Sequence, residues 1–474
     1  MKTKFALTAF ILYTLIGQAQ EAPVKMDSLQ EVIITSTRID LPFKENSRTI
    51  DIISSEDIKN SATTNVADLL QQVAGIDIRR RETAGSQADI YIRGGSFDQT
   101  LLLIDGIKMD DAQTGHHTMN AALPIEVIER IEIIKGPAAR VFGQNAFTGA
   151  INIVTKKQLK NSVSTNLETG SFGQLNGSLT VGSELENSSH IIHVGKLTSQ
   201  GYRNNSDYNN SNYFIKSVFN KKAQAVEMIA TFFDRKFGAE NFYTTNPAWN
   251  EYEETQNSLI GFTTTFESEK LKIKPRVYWK RNQDMFLLKR NEPNFFRNLH
   301  ITDKMGAEVN ASYSSELGVT GFGVDISKIY IRSNNLGHRN RFMTNVFLEH
   351  QFKLFNNRLD ITPGVAVTYF SDFKFHAFPG LDIGYRLNDH FKIYGNTGYT
   401  YRIPTYTDLF YSDPGTVGNA NLEPEEALSV EIGSKYISPK FTGSFAFFYR
   451  DASSLIDYIK ENETDRFMAT NLRD

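Results

Sequence analysis

Four groups of polar and aromatic residues have the types and spacing to engage another molecule. The run 79–87 presents Arg80, Arg81, Glu82 and Thr83, and the run 109–120 offers Asp110, Asp111, Gln113, His116 and His117 in a polar stretch that reads as a mobile loop. Adjacent His116 and His117 invite a metal, but neighbours in a loop rarely converge on one ion, so hydrogen bonding or plain exposure is the expectation. Phe242, Tyr243, Trp249 and Tyr252 can stack on an apolar ligand or simply pack on one another. Asp207 lies among asparagines in RNNSDYNNSN, where calcium could find oxygen ligands, although only one carboxylate is local. No other metal or cofactor is indicated. Nor is there a catalytic set: the chain has no Gly-x-Ser-x-Gly elbow, no paired zinc histidines at helical spacing and no phosphate loop with its lysine. The expectation is therefore a binding protein and not an enzyme.

The elements around the first two runs belong to a small α+β domain. Asn65 can cap a helix over 65–74, because Val66, Leu69, Leu70 and Val73 recur at helical spacing and Gly75 stands where a left-handed closing residue belongs. Leu101 to Ile104 is an apolar run entering an Asp105-Gly106 turn, and Ile131 to Ile134 and Ile151 to Val154 are further strands. Ile92, Leu103 and Ile133 should form the core, leaving the polar loops, with Arg80, Arg81 and His116, on the outward face.

Taken in order, VADLLQQVAGI (66–76), DIYIRGG (89–95), LLLIDGIKM (101–109) and IERIEIIKGPAARVFGQNAFTGAINIVTK (128–156) resemble the plug domain of TonB-dependent outer-membrane receptors. A second match, YRIPTYTDLFYSDPGTVGNANLEPEEALSVEIGSKY (401–436), resembles a motif of the barrel half of the same family. The run LQEVIITS (29–36), with Leu29, Gln30, Glu31, Val32, Ile33, Ile34 and Thr35, resembles the TonB box, which a periplasmic partner reaches by adding a strand.

The resemblance implies a plug inside a large antiparallel transmembrane β-barrel, and active import of a scarce, large nutrient driven through the TonB complex of the inner membrane. It places Arg80, Arg81, Glu82, Thr83, Gln113, His116 and His117 of the plug, with Phe242, Tyr243 and Trp249 of an outer loop, against that ligand. It also sets Arg93 and Lys135 against barrel carboxylates such as Glu425 and Glu431. The plug looks most similar to cobalamin-type receptors, with ferric siderophore receptors next, and nothing in the residues selects between the two ligands.

The remainder of the chain supports a barrel on its own terms. After residue 157 come on the order of 15 short alternating stretches, the weak per-segment signature of membrane strands. Their connectors alternate in length: 185–189, 220–224, 268–270, 355–358, 387–390 and 438–440 are short, whereas 199–211, 234–256, 281–298, 333–341 and 403–424 are long. Short periplasmic turns and long outer loops give this parity, and a soluble sandwich has no reason to keep it.

Composition agrees. There are 34 Phe and 20 Tyr against 2 Trp, no cysteine, and a formal net charge of -3 that gives no case for nucleic acid. Mean hydropathy is -0.35, as alternating strands allow. Lys2 and Lys4 followed by the apolar run 5–16 and Gln18-Ala19-Gln20 read as an export signal.

The expected organisation is a signal peptide over 1–20, a periplasmic segment with the box over 21–45, a plug over 46–157 and a barrel in the outer-membrane lipid over 158–474. Plugged barrels have about 22 strands, and Asn471-Leu472-Arg473-Asp474 do not resemble a closing strand, so the barrel is expected to be C-terminally incomplete. A passive porin, needing neither plug nor box, is the alternative, and an outer-membrane hydrolase a weaker one.

Overall fold

A computed structural model describes residues 33–34, 39, 41–81, 85–121, 123–221, 224–244, 246, 249–438 and 441–472. The proposed signal peptide, Leu29 to Val32 and Thr35 of the box, and Glu82 and Thr83 lie outside the described residues.

The N-terminal domain is built on a five-stranded sheet in the order Ile50–Ser54, Ile128–Lys135, Gly149–Thr155, Thr100–Ile104, Ile107–Lys108. Apolar residues of these strands, such as Leu103 and Ile133, are buried, and so is Ile92 of the separate two-stranded sheet formed by Ile76–Arg80 and Ala88–Ile92. The helix is Val66–Gln71, shorter than the periodicity predicts. Asn65 does cap it, its side-chain oxygen accepting from the Asp68 amide at 3.0 Å. Asp105 and Gly106 both take positive φ (48° and 81°), as a tight hairpin turn requires.

The rest is one sixteen-stranded sheet whose path runs through fifteen strands in chain order, each antiparallel to the next, from Ser162–Gly170 to Thr442–Ser453. Among the described residues these two end strands are not paired with each other. The short strand Phe467–Asn471 instead pairs with Ile456–Ile459 on one side and Thr416–Val417 on the other, in a separate sheet.

Side-chain alternation inverts the polarity of a soluble sheet. Along Gly318–Ser333, Phe322, Val324, Ile326 and Tyr330 point out and are exposed, while Asp325 and Ser327 point in and are buried. Apolar residues face outward because lipid is outside, and polar residues face inward towards the plug. No helix of the described residues is long and apolar enough to cross a membrane; crossing by strands is the alternative. Fifteen strands laid flat would span about 65 Å at the usual inter-strand spacing. The plug nevertheless touches both ends of the path, Glu126 bonding Ser178 and Arg93 bonding Glu431, so the sheet wraps around it.

One expected long connector is corrected. Strands Gly318–Ser333 and Gly337–Leu354 run on into the 333–341 region and leave only a three-residue turn. The polar run there reads as loop by composition, but its backbone remains paired. The orientation is clear from the contacts. Glu45 meets Lys353 at 2.9 Å near one short connector, and its carbonyl accepts from Lys392 beside another. At the opposite end, the long 403–424 connection donates from the Tyr406 and Thr407 amides to the carbonyls of Ala112 and Gln113. The plug's N-terminal side therefore lies at the short-turn end and its 109–121 segment at the long-loop end.

The outward apolar face yields a prediction. Ile326→Lys, near the middle of its strand, is expected to cost about 2–4 kcal/mol at mid-membrane depth. The folded fraction after reconstitution into bilayers, read from the gel mobility of unheated protein, should fall. An unchanged fraction would contradict a lipid-facing Ile326.

Candidate functional site: the outer face of the plug

The segment 109–121 is not the exposed, mobile loop that its composition suggests. It folds into a 3₁₀ helix, Gly115–Ala121, wedged between plug and sheet, with Asp110, Asp111, Gln113, His117 and Thr118 buried. Strand residues on the inward face supply its partners. Lys304 reaches the Asp110 carboxylate at 2.7 Å, Lys280 donates to the Met109 and Asp110 carbonyls, and Gln113 donates to Asp284 at 2.7 Å.

The adjacent histidines diverge. His116 Nδ1 lies 2.9 Å from Asp89 and its ring stacks on Phe97 with centroids 3.8 Å apart. His117 turns to the sheet, Nε2 lying 3.2 Å from Asp284. Burial opposes a charge on His117, but Asp284 beside it, with Glu253 and Asp111 behind, outweighs that and pushes its pKa up to about 9.

Arg81 is exposed and reaches across to the outer loop, donating to the Phe242 carbonyl, with its guanidinium 5.3 Å from the Tyr243 ring centroid. Phe242 is buried against Phe237, whereas half of Tyr243 remains exposed and its hydroxyl bonds Gln87 and Glu253. Trp249 packs towards Phe295, and Tyr252 lies under Arg290. The aromatic residues thus partly pack on one another, and Tyr243 is the ring that combines exposure with contact to the plug.

Two expected roles are corrected. Arg80 does not face outward: its guanidinium turns back to Asp68 and to Asn65 at 2.9 Å, across the N-terminus of the plug helix. Asp207 offers no open carboxylate for calcium, because both of its oxygens take the fork of Arg290, at 2.6 and 2.9 Å.

At the plug–sheet seam Arg93 Nη1 lies 2.5 Å from Glu431, a carboxylate that also accepts from Thr49 and Asn396. Arg93 adopts a positive φ of 50°, so the IRGG turn aims this side chain as well as reversing the chain. Lys135, in contrast, stays within the plug. It pairs with Asp51 and donates to the Ala74 carbonyl, because its strand ends beside Ile50–Ser54 and a nearer carboxylate captures it. Glu425 meets neither cation: it takes a two-bond fork from Arg402 and a 2.8 Å bond from Gln99 of the plug.

The chain's inward polar residues supplied further seam contacts that motif reading missed. Arg140 and Arg48 share Asp382, Lys108 pairs with Asp325 at 2.8 Å, and Lys216 pairs with Asp105 at 2.7 Å. A signal existed, since lysines and carboxylates recur at alternate positions of otherwise apolar strands.

With this geometry in place, comparison with known proteins is decisive about the class. Residues 42–150 match the TonB-dependent receptor plug domain and residues 142–472 match the TonB-dependent receptor-like β-barrel. The chain belongs to the TonB-dependent receptors, a family of the outer membrane. Among curated relatives, the vitamin B12 transporter BtuB of Vibrio vulnificus (strain CMCP6) is 24% identical, covering 89% of this chain and 69% of the relative. BtuB of Vibrio cholerae is 23% identical, over 90% of this chain and 71% of the relative. Among solved structures, the siderophore receptor PirA from Pseudomonas aeruginosa superposes with a TM-score of 0.70 at 19% identity, covering 90% of this chain and 79% of that one. The ferric enterobactin receptor PfeA from the same organism, as a G324V mutant, gives 0.72 at 16% identity, covering 93% and 78%. These structural likenesses concern the fold.

The Arg93–Glu431 pair sets a second prediction. Arg93→Ala leaves Glu431 buried without its cation and should destabilise plug docking by about 3–5 kcal/mol, with most of the loss restored by adding Glu431→Gln. Denaturant midpoints of the full chain in detergent, followed by protease access to the plug, measure it. Strictly additive losses would mean that the two side chains do not act as a pair.

Proposed function

We propose that this protein imports a large, scarce nutrient of the cobalamin or ferric siderophore class, by an energised rearrangement of the plug that TonB drives through the box at 29–35. The observation that carries this reading is the polarity of the plug. Its 109–121 segment and Arg81 sit among the long loops, while Ile33–Ile34 pairs with Leu41–Pro42 on the N-terminal side, which meets the short turns. Ligand and motor thus approach opposite ends of one small domain. A passive porin is disfavoured, because the plug is held in the sheet by buried ion pairs and fills the path a diffusing solute would need.

The named relatives agree with the ligand class without choosing within it. BtuB is by name a vitamin B12 transporter, and PfeA a ferric enterobactin receptor. Arg81 and Tyr243 are the residues we assign to ligand contact, since they meet at the outer face with exposed surface. An export signal over 1–20 would bring the chain to the membrane that this function requires.

Removing residues 29–35 should abolish energised uptake while surface expression and ligand binding persist. Growth on limiting cobalamin, and separately on chelated iron, identifies the nutrient. Uptake that survives the deletion would sink the importer reading. For the loops, Arg81→Ala is expected to weaken ligand binding about tenfold, the loss of one charge-assisted contact, whereas Arg80→Ala should act on plug stability instead. Equal ligand affinity of wild type and Arg81→Ala, measured on assembled protein, would remove Arg81 from the site.

A further inference from the structure

His117, Glu253 and Asp284 converge from three separate elements: the plug's Gly115–Ala121 helix and the strands Tyr252–Thr264 and Leu271–Leu287. One donor atom from each lies within 4.8 Å of the other two, and all three residues are more than nine-tenths buried. Asp284 stands opposite Thr255 in the sheet register, so Glu253, two residues along, is its diagonal neighbour on the same inward face.

A second observation concerns what these groups lack. Glu253 Oε1 and Asp284 Oδ1 are buried with no hydrogen-bond partner among the described residues, and so are Gln113 Oε1 and Asp111 Oδ2 on the neighbouring turn of the plug. Gln113 is tied to the cluster by its own amide, which donates to Asp284 at 2.7 Å. Among the described residues no lysine or arginine forms an ion pair with Glu253 or Asp284. Both carboxylates thus keep a buried oxygen that no described residue answers, and native interiors seldom leave such oxygens without a partner.

We propose that His117, Glu253 and Asp284 form a binding site for one divalent transition-metal ion of the zinc class, which ties the plug's outer segment to the barrel wall. One imidazole nitrogen with two carboxylates is a mixed N/O set. It suits zinc and its neighbours, whereas calcium and magnesium take oxygen donors alone. Three protein ligands leave a fourth position for water or another oxygen donor. His116 takes no part, since it is spent on Asp89 and Phe97. The site does not depend on which nutrient is imported, and it would couple the 3₁₀ helix to two strands that continue into the outer loops.

The test uses the full chain without a histidine tag, purified in detergent, stripped with chelator and dialysed against zinc sulfate, with bound metal measured by mass spectrometry. One zinc per chain is expected, with His117→Ala, Glu253→Gln and Asp284→Asn each lowering affinity at least tenfold and His116→Ala leaving it unchanged. Because a variant could fail to assemble, cobalt(II) is added to the wild type in parallel. Absorption bands of a low-coordinate N/O site that zinc abolishes support the proposal. No stoichiometric zinc, zinc retained by all three assembled variants, no such cobalt bands, or calcium held as tightly as zinc would each overturn it.

Discussion

A sheet that turns its apolar side chains to lipid must turn polar ones inward, and whatever fills it has to answer those charges. The plug's apolar core continues on one side into wall residues such as Phe214, Ile229 and Leu259, and around that contact the seam between plug and wall is made of buried ion pairs. Plug cations meet wall carboxylates at Arg93–Glu431, Lys108–Asp325 and Arg140–Asp382; plug carboxylates meet wall lysines at Asp110–Lys304 and Asp105–Lys216. Such pairs gain little net stability once desolvation is counted, but breaking one side is costly. Ion pairs of this kind, set around the apolar contact, specify one docked arrangement. That suits a domain which has to be held and then rearranged.

The same constraint bears on the start of the motif over 401–436. Arg402 forks onto Glu425 and reaches Asp408, while Thr405 and Asp408 cap the helix Tyr406–Phe410 reciprocally. This braces the start of the longest outer connection, and the helix then donates to the plug's Ala112 and Gln113 carbonyls. Backbone of the outer connection and backbone of the plug are thereby joined at Gln113, whose side chain also donates to Asp284.

Sequence reading succeeded where chemistry is local or periodic. The Asn65 cap, the Asp105-Gly106 turn, the buried Ile92, Leu103 and Ile133, and the alternating strands all follow from neighbours in sequence or from a period of two. It failed where a polar run had to be placed. The 333–341 region reads as loop because its residues are polar, yet polar strands can extend beyond the membrane while their backbones stay paired. The 109–120 run reads as exposed for the same reason, yet inside a polar-lined barrel polar residues are the ones that become buried.

The sequence by itself determined the family, the plug-then-barrel order and the strand alternation, because these rest on short-range patterns and on motifs carried whole within a segment. Tertiary structure alone decided which charges meet. Lys135 found Asp51 inside the plug, Arg80 turned back to the helix, Asp207 was taken by Arg290, and His117 came to lie between Glu253 and Asp284. Only the His117 cluster depends on the sheet wrapping the plug, the other pairs forming within the plug or within the wall, and in every case ion pairing is settled by distance and burial in space, which spacing along a chain does not encode.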